Sequence, residues 1–333
     1  MDRGEAFDCL EFAEGVPSGS EVEQLAPRHD QMQRALAWFH HNRFPLEALR
    51  LANALYVFWM ERGYLTQGRE WLHQLLEEPD AKEPSEMRVR GLNAAAVLAF
   101  RQGDNEAARS LLEESLGTAR SISDRVGEAW ALSRLSRVSL RDHDFVRVRE
   151  RAQASVDIFR ELGDREGEWS PLHVLAYVTM MEGDLVEART LFEQSVELAN
   201  SLGKRDQAGG EFQNLGVIET RSGNFDVALG HFRRALDVGL RRNDTYLLPY
   251  AFLGFAAVAA ERGDAERAAR LVGVTDRMLE SSQMVLDPGD QPDYDRAVEL
   301  TRESLGARFE ALVLEGKNLS LEDATDLALQ TRV

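Results

Sequence analysis

Residues 183–196, GDLVEARTLFEQSV, are echoed 40 residues downstream by GNFDVALGHFRRAL (223–236) and 80 residues upstream by GDNEAARSLLEESL (103–116). The register extends well beyond these segments. Gly63, Gly103, Gly183, Gly223 and Gly263 share one 40-residue spacing, with His143 in the remaining slot. The next residue is Asp104, Asp144, Asp184, Asn224 or Asp264, with Tyr64 as the exception. A second turn column falls between them at Ser123-Asp124, Gly163-Asp164, Gly203-Lys204 and Asn243-Asp244. Glycine accepts the positive φ of a helix C-terminus, and a following Asp or Asn caps free N–H groups of the next helix. The pattern predicts two helices of about 15 residues per repeat, joined by short turns.

The core columns agree. Gly68, Ala108, Ala188, Ala228 and Ala268 hold a small slot, with Val148 slightly larger, and Leu72, Leu112, Ala152, Phe192, Phe232 and Val272 follow four residues later. On the first helix of each pair, Leu92, Leu132, Leu172, Phe212 and Phe252 form one column and Ala96, Ser136, Ala176, Gly216 and Ala256 another. Small residues let helix axes approach and large ones fill the space between.

The three quoted segments resemble the tetratricopeptide repeat family: a small residue in the first helix, a Gly turn, then Ala and an aromatic or Leu in the second. The resemblance covers roughly residues 46–281. It implies an all-α, right-handed superhelical solenoid of about six helix-turn-helix repeats, lengthened from the usual 34 residues to 40.

The ends depart from the repeat. Residues 1–27 are acidic and include Pro17-Ser-Gly-Ser, so we expect a loosely held flexible tail or a short docked helix. The solenoid then spans 28–284, opening with a helix over 28–43 that carries Met32, Leu36 and Phe39 on one face. Residues 285–333 read as a helical C-terminal cap, with helices at 293–304, 306–315 and 321–330, Pro292 in a first turn and Ser320 to Asp323 as a capping box.

A narrower resemblance rests on the order of QMQRALAWF, ALRLANALYVFWMERGYLTQGREWL, ERGDAERAARLVG, DYDRAV and LSLEDATDLAL. This order is similar to the C-terminal helical-repeat arm of large bacterial regulators, the AfsR-like and LuxR-type signal-transduction ATPases with numerous domains. There the arm serves as sensor and assembly surface behind an ATPase module. No G-x-x-x-x-G-K-[ST] phosphate loop occurs in this sequence, which implies a fragment of a larger regulator or a stand-alone relative.

Composition narrows the function further. A net charge of −18 argues against a nucleic-acid backbone as direct partner, because phosphates need clustered Lys and Arg. No run of apolar residues is long enough for a membrane helix, the N-terminus lacks a signal segment, and Cys9 is the only cysteine, which together suggest the cytoplasm. No H-E-x-x-H or C-x-x-C motif occurs, and His40-His41 point in different directions on a helix, so no metal or cofactor is expected. Asp287, Asp290, Asp293 and Asp295 lack calcium-loop spacing and read as a solvated loop. Cys9, among negative neighbours in the tail, is an unpromising nucleophile, and most glutamates fall on outer helix faces. Binding rather than catalysis is the expectation.

In tetratricopeptide arrays one side of each first helix faces a concave groove. The resemblance thus implies a lining made of four columns. The first runs Arg50, Arg90, Trp130, Ser170, Gly210, Tyr250 and the second Asn53, Asn93, Ser133, His173, Gln213, Leu253. The third runs Val57, Val97, Arg137, Tyr177, Val217, Ala257 and the fourth Glu61, Arg101, Arg141, Met181, Arg221, Glu261. The arginines, amides and aromatics among them suit a peptide, a protein or a small polar ligand. The alternative is that these arginines pair with carboxylates of neighbouring helices. His173 suits a pH sensor or a polar space-filler, self-association is open, and Pro171 predicts a kink or a delayed start in its helix.

Overall fold

The computed structural model describes residues 1–16 and 20–330; part of the Pro17-Ser-Gly-Ser stretch and the last three residues lie outside the described residues. The elements described are helices, and consecutive helices pack against one another. The chain divides into two compact units, Met1–Val174 and Leu175–Val333.

The first unit contains α1 (Arg3–Gly15), α2 (His29–His41), α3 (Pro45–Glu61), α4 (Leu65–Leu76), α5 (Glu86–Arg101), α6 (Asn105–Ser121), α7 (Arg125–Arg141), α8 (Phe145–Leu162) and the start of α9 (Arg165–Met181). Of the two forms expected for the N-terminal stretch, residues 3–15 take the docked helix. Asp2 and Glu5 close a capping box, and Ala6, Cys9, Leu10 and Ala13 are buried against α2 and α3. Cys9 is therefore a core residue, and burial pushes its thiol pKa up. Met32, Leu36 and Phe39 of α2 are buried as expected. Pro171 lies within α9, which starts at Arg165 without delay.

The second unit holds the rest of α9, then α10 (Leu185–Ser201), α11 (Gly209–Arg221), α12 (Phe225–Arg242), α13 (Leu247–Glu261), α14 (Ala265–Ser282), α15 (Gln291–Leu305), α16 (Phe309–Lys317) and α17 (Leu321–Leu329). The small columns do the work expected of them. The Phe232 ring of α12 lies where a Cβ on Gly216 of α11 would come within 2.4 Å of it, and one on Gly254 of α13 within 2.3 Å. In the cap, Pro292 occupies the first turn of α15 and the Ser320 hydroxyl accepts from the Asp323 N–H, as the sequence predicts.

The turns have a finer beat than 40 residues. A left-handed residue occurs every 20 positions from Arg43 to Gln283, with position 83 alone skipped. In each of these turns the following N–H bonds the carbonyl five residues back, as in Asp104 to Ala99 (3.0 Å), Asp144 to Ser139 (3.2 Å) and Asn224 to Glu219 (2.8 Å). This 6→1 bond ties off a helix end, and the same Asp then caps the next helix: Asp104, Asp124, Asp144 and Asp184 accept from N–H groups three residues on. Where the beat is skipped, α4 ends early at Leu76 and a 3-10 turn (Pro79–Ala81) follows. Buried Arg88 secures this stretch, donating 2.9 Å bonds to the Leu76 and Ala81 carbonyls while pairing with Glu114.

His143 occupies the left-handed slot at φ 55, a conformation that costs a residue with a Cβ roughly 1 kcal/mol. His143→Gly should raise the urea unfolding free energy by about 0.5–1 kcal/mol, and Gly183→Ala, at φ 91, should lower it by about 1 kcal/mol.

Candidate ligand-binding site

In the first unit, the leading helices α3, α5 and α7 and the end of α1 surround a cavity of about 730 Å³. The 40-residue register aligns its lining. Arg50, Arg90 and Trp130 come from one expected column, and Asn53 and Asn93 from the next. The two asparagines are not free donors, however. Asn53 Nδ2 donates to the Met87 carbonyl (3.2 Å), and Asn93 Nδ2 to the Val89 carbonyl (3.1 Å) and Ser115 Oγ (2.9 Å). Only 2% of Asn93 is exposed. Its amide bridges α5 and α6 rather than presenting itself to a ligand.

The charges sort in the same way. Arg50 forms a two-pronged pair with Glu14 (2.9 and 2.6 Å), and Asp124 is committed to capping α7 through the Gly127 N–H (2.8 Å). Exposed Arg90 lies 4.0 Å from exposed Glu86, a pair that water screens. Arg134 differs from both. Its guanidinium sits 5.2 Å from the Trp130 ring centroid and 6.0 Å from that of Tyr56, with the Tyr56 hydroxyl 3.4 Å away. Among the described residues no carboxylate pairs with it, and burial lowers its pKa from the usual arginine range. Two side chains the sequence reading passed over, Arg134 and Tyr56, thus shape this site. A signal existed for both: Tyr56 heads the small column Ala96, Ser136, Ala176, Gly216, Ala256, and Arg134 interrupts Ala54, Ala94, Val174, Asn214, Gly254.

Val57 of the third column also lines the cavity, while Ser133, Arg101, Arg137, Arg141 and His173 lie outside it. Ser133 is buried, with its hydroxyl 3.1 Å from that of Ser170. Arg141 stacks over Phe100 at 3.9 Å and donates to Asn105 (3.2 Å). Arg101, Arg137 and His173 are half-buried further along α5, α7 and α9.

In the second unit the corresponding residues are already engaged. The segment between α14 and α15 lies over them. The Tyr177 hydroxyl donates to Asp290 Oδ2 (2.7 Å) and accepts from the Gly289 N–H (3.0 Å). The Tyr250 hydroxyl accepts from the Asp287 N–H (3.2 Å), and the Tyr246 hydroxyl donates to Asp287 Oδ2 (2.9 Å). Arg221 donates to the Gly289 carbonyl and pairs with Asp293 (2.6 Å). A Cβ on Gly289 would come within 2.5 Å of the Tyr177 hydroxyl, so only glycine permits this approach. Beside Gln213 only about 10 Å³ remains free, at the margin of what a water molecule occupies.

Two expectations are corrected here. The aspartates at 287 and 290 are not a solvated loop: they are 8% and 3% exposed. Tyr177, Arg221 and Tyr250 hold the chain's own acidic segment instead of an open groove. The Asp-Pro-Gly-Asp segment lies 37 residues from Tyr250, 68 from Arg221 and 113 from Tyr177 along the chain, and only packing joins them. Burial first, and then the Asp287 charge, pushes the Asp290 carboxyl up to about 7. Among the described residues, no group of three or more His, Cys, Asp or Glu is placed to hold a metal, and no helix is long and apolar enough to cross a membrane.

Residues 170–238 match the model of the tetratricopeptide repeat family. The chain is an all-helical repeat protein with tetratricopeptide-type units. It shares its fold with solved structures at low sequence identity. One is a Rap protein complexed with competence and sporulation factor (TM-score 0.62, 15% identity, 97% of this chain and 89% of that one). Another is NprR with its cognate peptide NprX (TM-score 0.56, 13% identity, 96% and 89%). A third is a Signal Transduction ATPase with Numerous Domains carrying a tetratricopeptide repeat sensor, from Pyrococcus horikoshii (TM-score 0.55, 14% identity, 95% and 46%). A Mycobacterium tuberculosis protein assigned as an HTH-type transcriptional regulator is 29% identical over 76 residues, 22% of this chain. The match spans only 9% of that relative's length.

The Asp290 shift sets a pH dependence. A carboxyl pKa raised from 3.8 to about 7 in the folded chain favours folding below pH 4, and that contribution is lost as pH rises through 7. Urea unfolding should show stability falling from pH 5 to pH 8, by roughly 2–3 kcal/mol from this group. Asp290→Asn should flatten the slope; an equally steep slope in the variant contradicts the assignment.

Proposed function

We propose that the chain is the ligand-sensing arm of a regulatory protein, and that it works by binding in the first unit's cavity rather than by catalysis. The observation that carries this reading is the contrast between the two units. One leading-helix face is filled by the chain's own segment, and the other keeps about 730 Å³ open beside an arginine that no carboxylate pairs with among the described residues. Cavities of this size accommodate a drug-sized molecule or a short stretch of peptide. Support comes from the shared fold of the Rap and NprR complexes with their peptides and from the sensor of the Pyrococcus protein. The short match to an HTH-type regulator points to transcription control in a bacterial cytoplasm. On this reading the arm couples ligand occupancy to assembly with a partner, and neither nucleic acid nor membrane is contacted directly.

A second reading is a free-standing peptide receptor or adaptor. The Rap and NprR structures favour it, because each is covered over 89% of its length. Both readings use the same cavity.

The test fills that cavity. Ala54 lines it from α3 and is only partly buried, so Ala54→Trp should close it while leaving the helices intact. Native mass spectrometry of the purified chain, incubated with a peptide-and-metabolite extract of its host, should show a bound species that the variant loses. Equal binding by the variant, with unchanged circular dichroism, moves the site elsewhere.

A further inference from the structure

The cavity's charges are unevenly satisfied, and that imbalance names the chemistry of its ligand. Glu14 is consumed by Arg50, Asp124 by the N-terminus of α7, and Glu86 stands in water beside Arg90. Arg134 is left with two aromatic rings and a distant hydroxyl. Arg134 is half-buried on the cavity wall, and a partly desolvated guanidinium without a carboxylate beside it gains from an anion supplied by a ligand. Its planar fork matches a carboxylate, offering two parallel N–H donors. Trp130 and Tyr56 beside it give flat apolar area for the atoms next to that carboxylate.

The second unit shows what such a face accepts. There, at related register positions, tyrosine hydroxyls and Arg221 hold a short loop by its backbone and its aspartates, with Tyr177 serving both an N–H and a carboxyl of that loop. The first unit offers a related aromatic and arginine surface that, among the described residues, no carboxylate-bearing segment occupies. We propose that the cavity takes a short acidic peptide segment, anchored by one carboxylate on the Arg134 guanidinium between Trp130 and Tyr56. This rests on the reading of the cavity as the ligand site and adds the class of ligand.

The experiment uses the full chain, immobilised, and two synthetic hexapeptide libraries, one N-acetylated and C-amidated, the other with free C-termini. Peptides retained by the wild type and lost on Ala54→Trp should be rich in Asp or Glu in the amidated library. Selective retention in the free-acid library alone would assign the carboxylate to the peptide's terminus, with the same anchor. The best binder should weaken about tenfold or more on Arg134→Gln, and its Asn or Gln analogue should bind the wild type equally weakly. Arg134→Gln should also hold or raise the thermal midpoint, because it removes an unpaired charge; this separates a binding role from a structural one. Neutral or basic winners, or an acid preference that survives Arg134→Gln, overturn the carboxylate anchor and leave the cavity reading standing. A library that yields no peptide lost on Ala54→Trp overturns both.

Discussion

The structure depends on a single bond repeated along the chain: an N–H reaching five residues back across a left-handed residue. Where it forms, one helix stops and the next starts at a set angle, so a shift of one residue would rotate every later core face. The sequence protects this bond with Gly where it can, and with Asn243 or His143 where it does not. The aspartate that follows does two jobs, closing one helix through its backbone and opening the next through its side chain. Regular spacing of the leading helices follows from this, and with it the alignment of Arg50, Arg90 and Trp130 on one wall.

On that frame, equivalent faces meet different fates. In the second unit, tyrosine hydroxyls and Arg221 meet an Asp-Pro-Gly-Asp loop and hold it through its backbone and its aspartates. In the first unit, amides turn inward to bridge helices, one arginine finds Glu14, and another has the Tyr56 hydroxyl and two aromatic rings but, among the described residues, no carboxylate. Function is better read from what the polar groups lack than from which residues are polar.

This explains how far the sequence could be read. Helix pairs, turns and small-against-large columns repeat at fixed spacing, so each was visible many times over. The Phe232 wedge between Gly216 and Gly254 was implicit in those columns. Site residues follow no such repetition. Asn93 borders the cavity, but its amide bonds Ser115 of the following helix, a pairing that only packing creates. Tyr177 and Asp290 were both noticed and never connected, since nothing local pairs positions so far apart. Arg134 stands out in the sequence only as a misfit among Ala54, Ala94, Val174, Asn214 and Gly254, because a site residue breaks a column where core residues keep it.

The bond between Tyr177 and Asp290 spans 113 residues, which gives the molecule a history during its synthesis. At ribosomal speeds of about 5–20 residues per second, the repeats around Tyr177 emerge some ten seconds before the loop that will cover them. For that interval the nascent chain displays a tyrosine- and arginine-bearing surface open to any acidic neighbour. Once the loop has emerged, the missing side chain at Gly289 lets it settle against the Tyr177 ring and end that exposure.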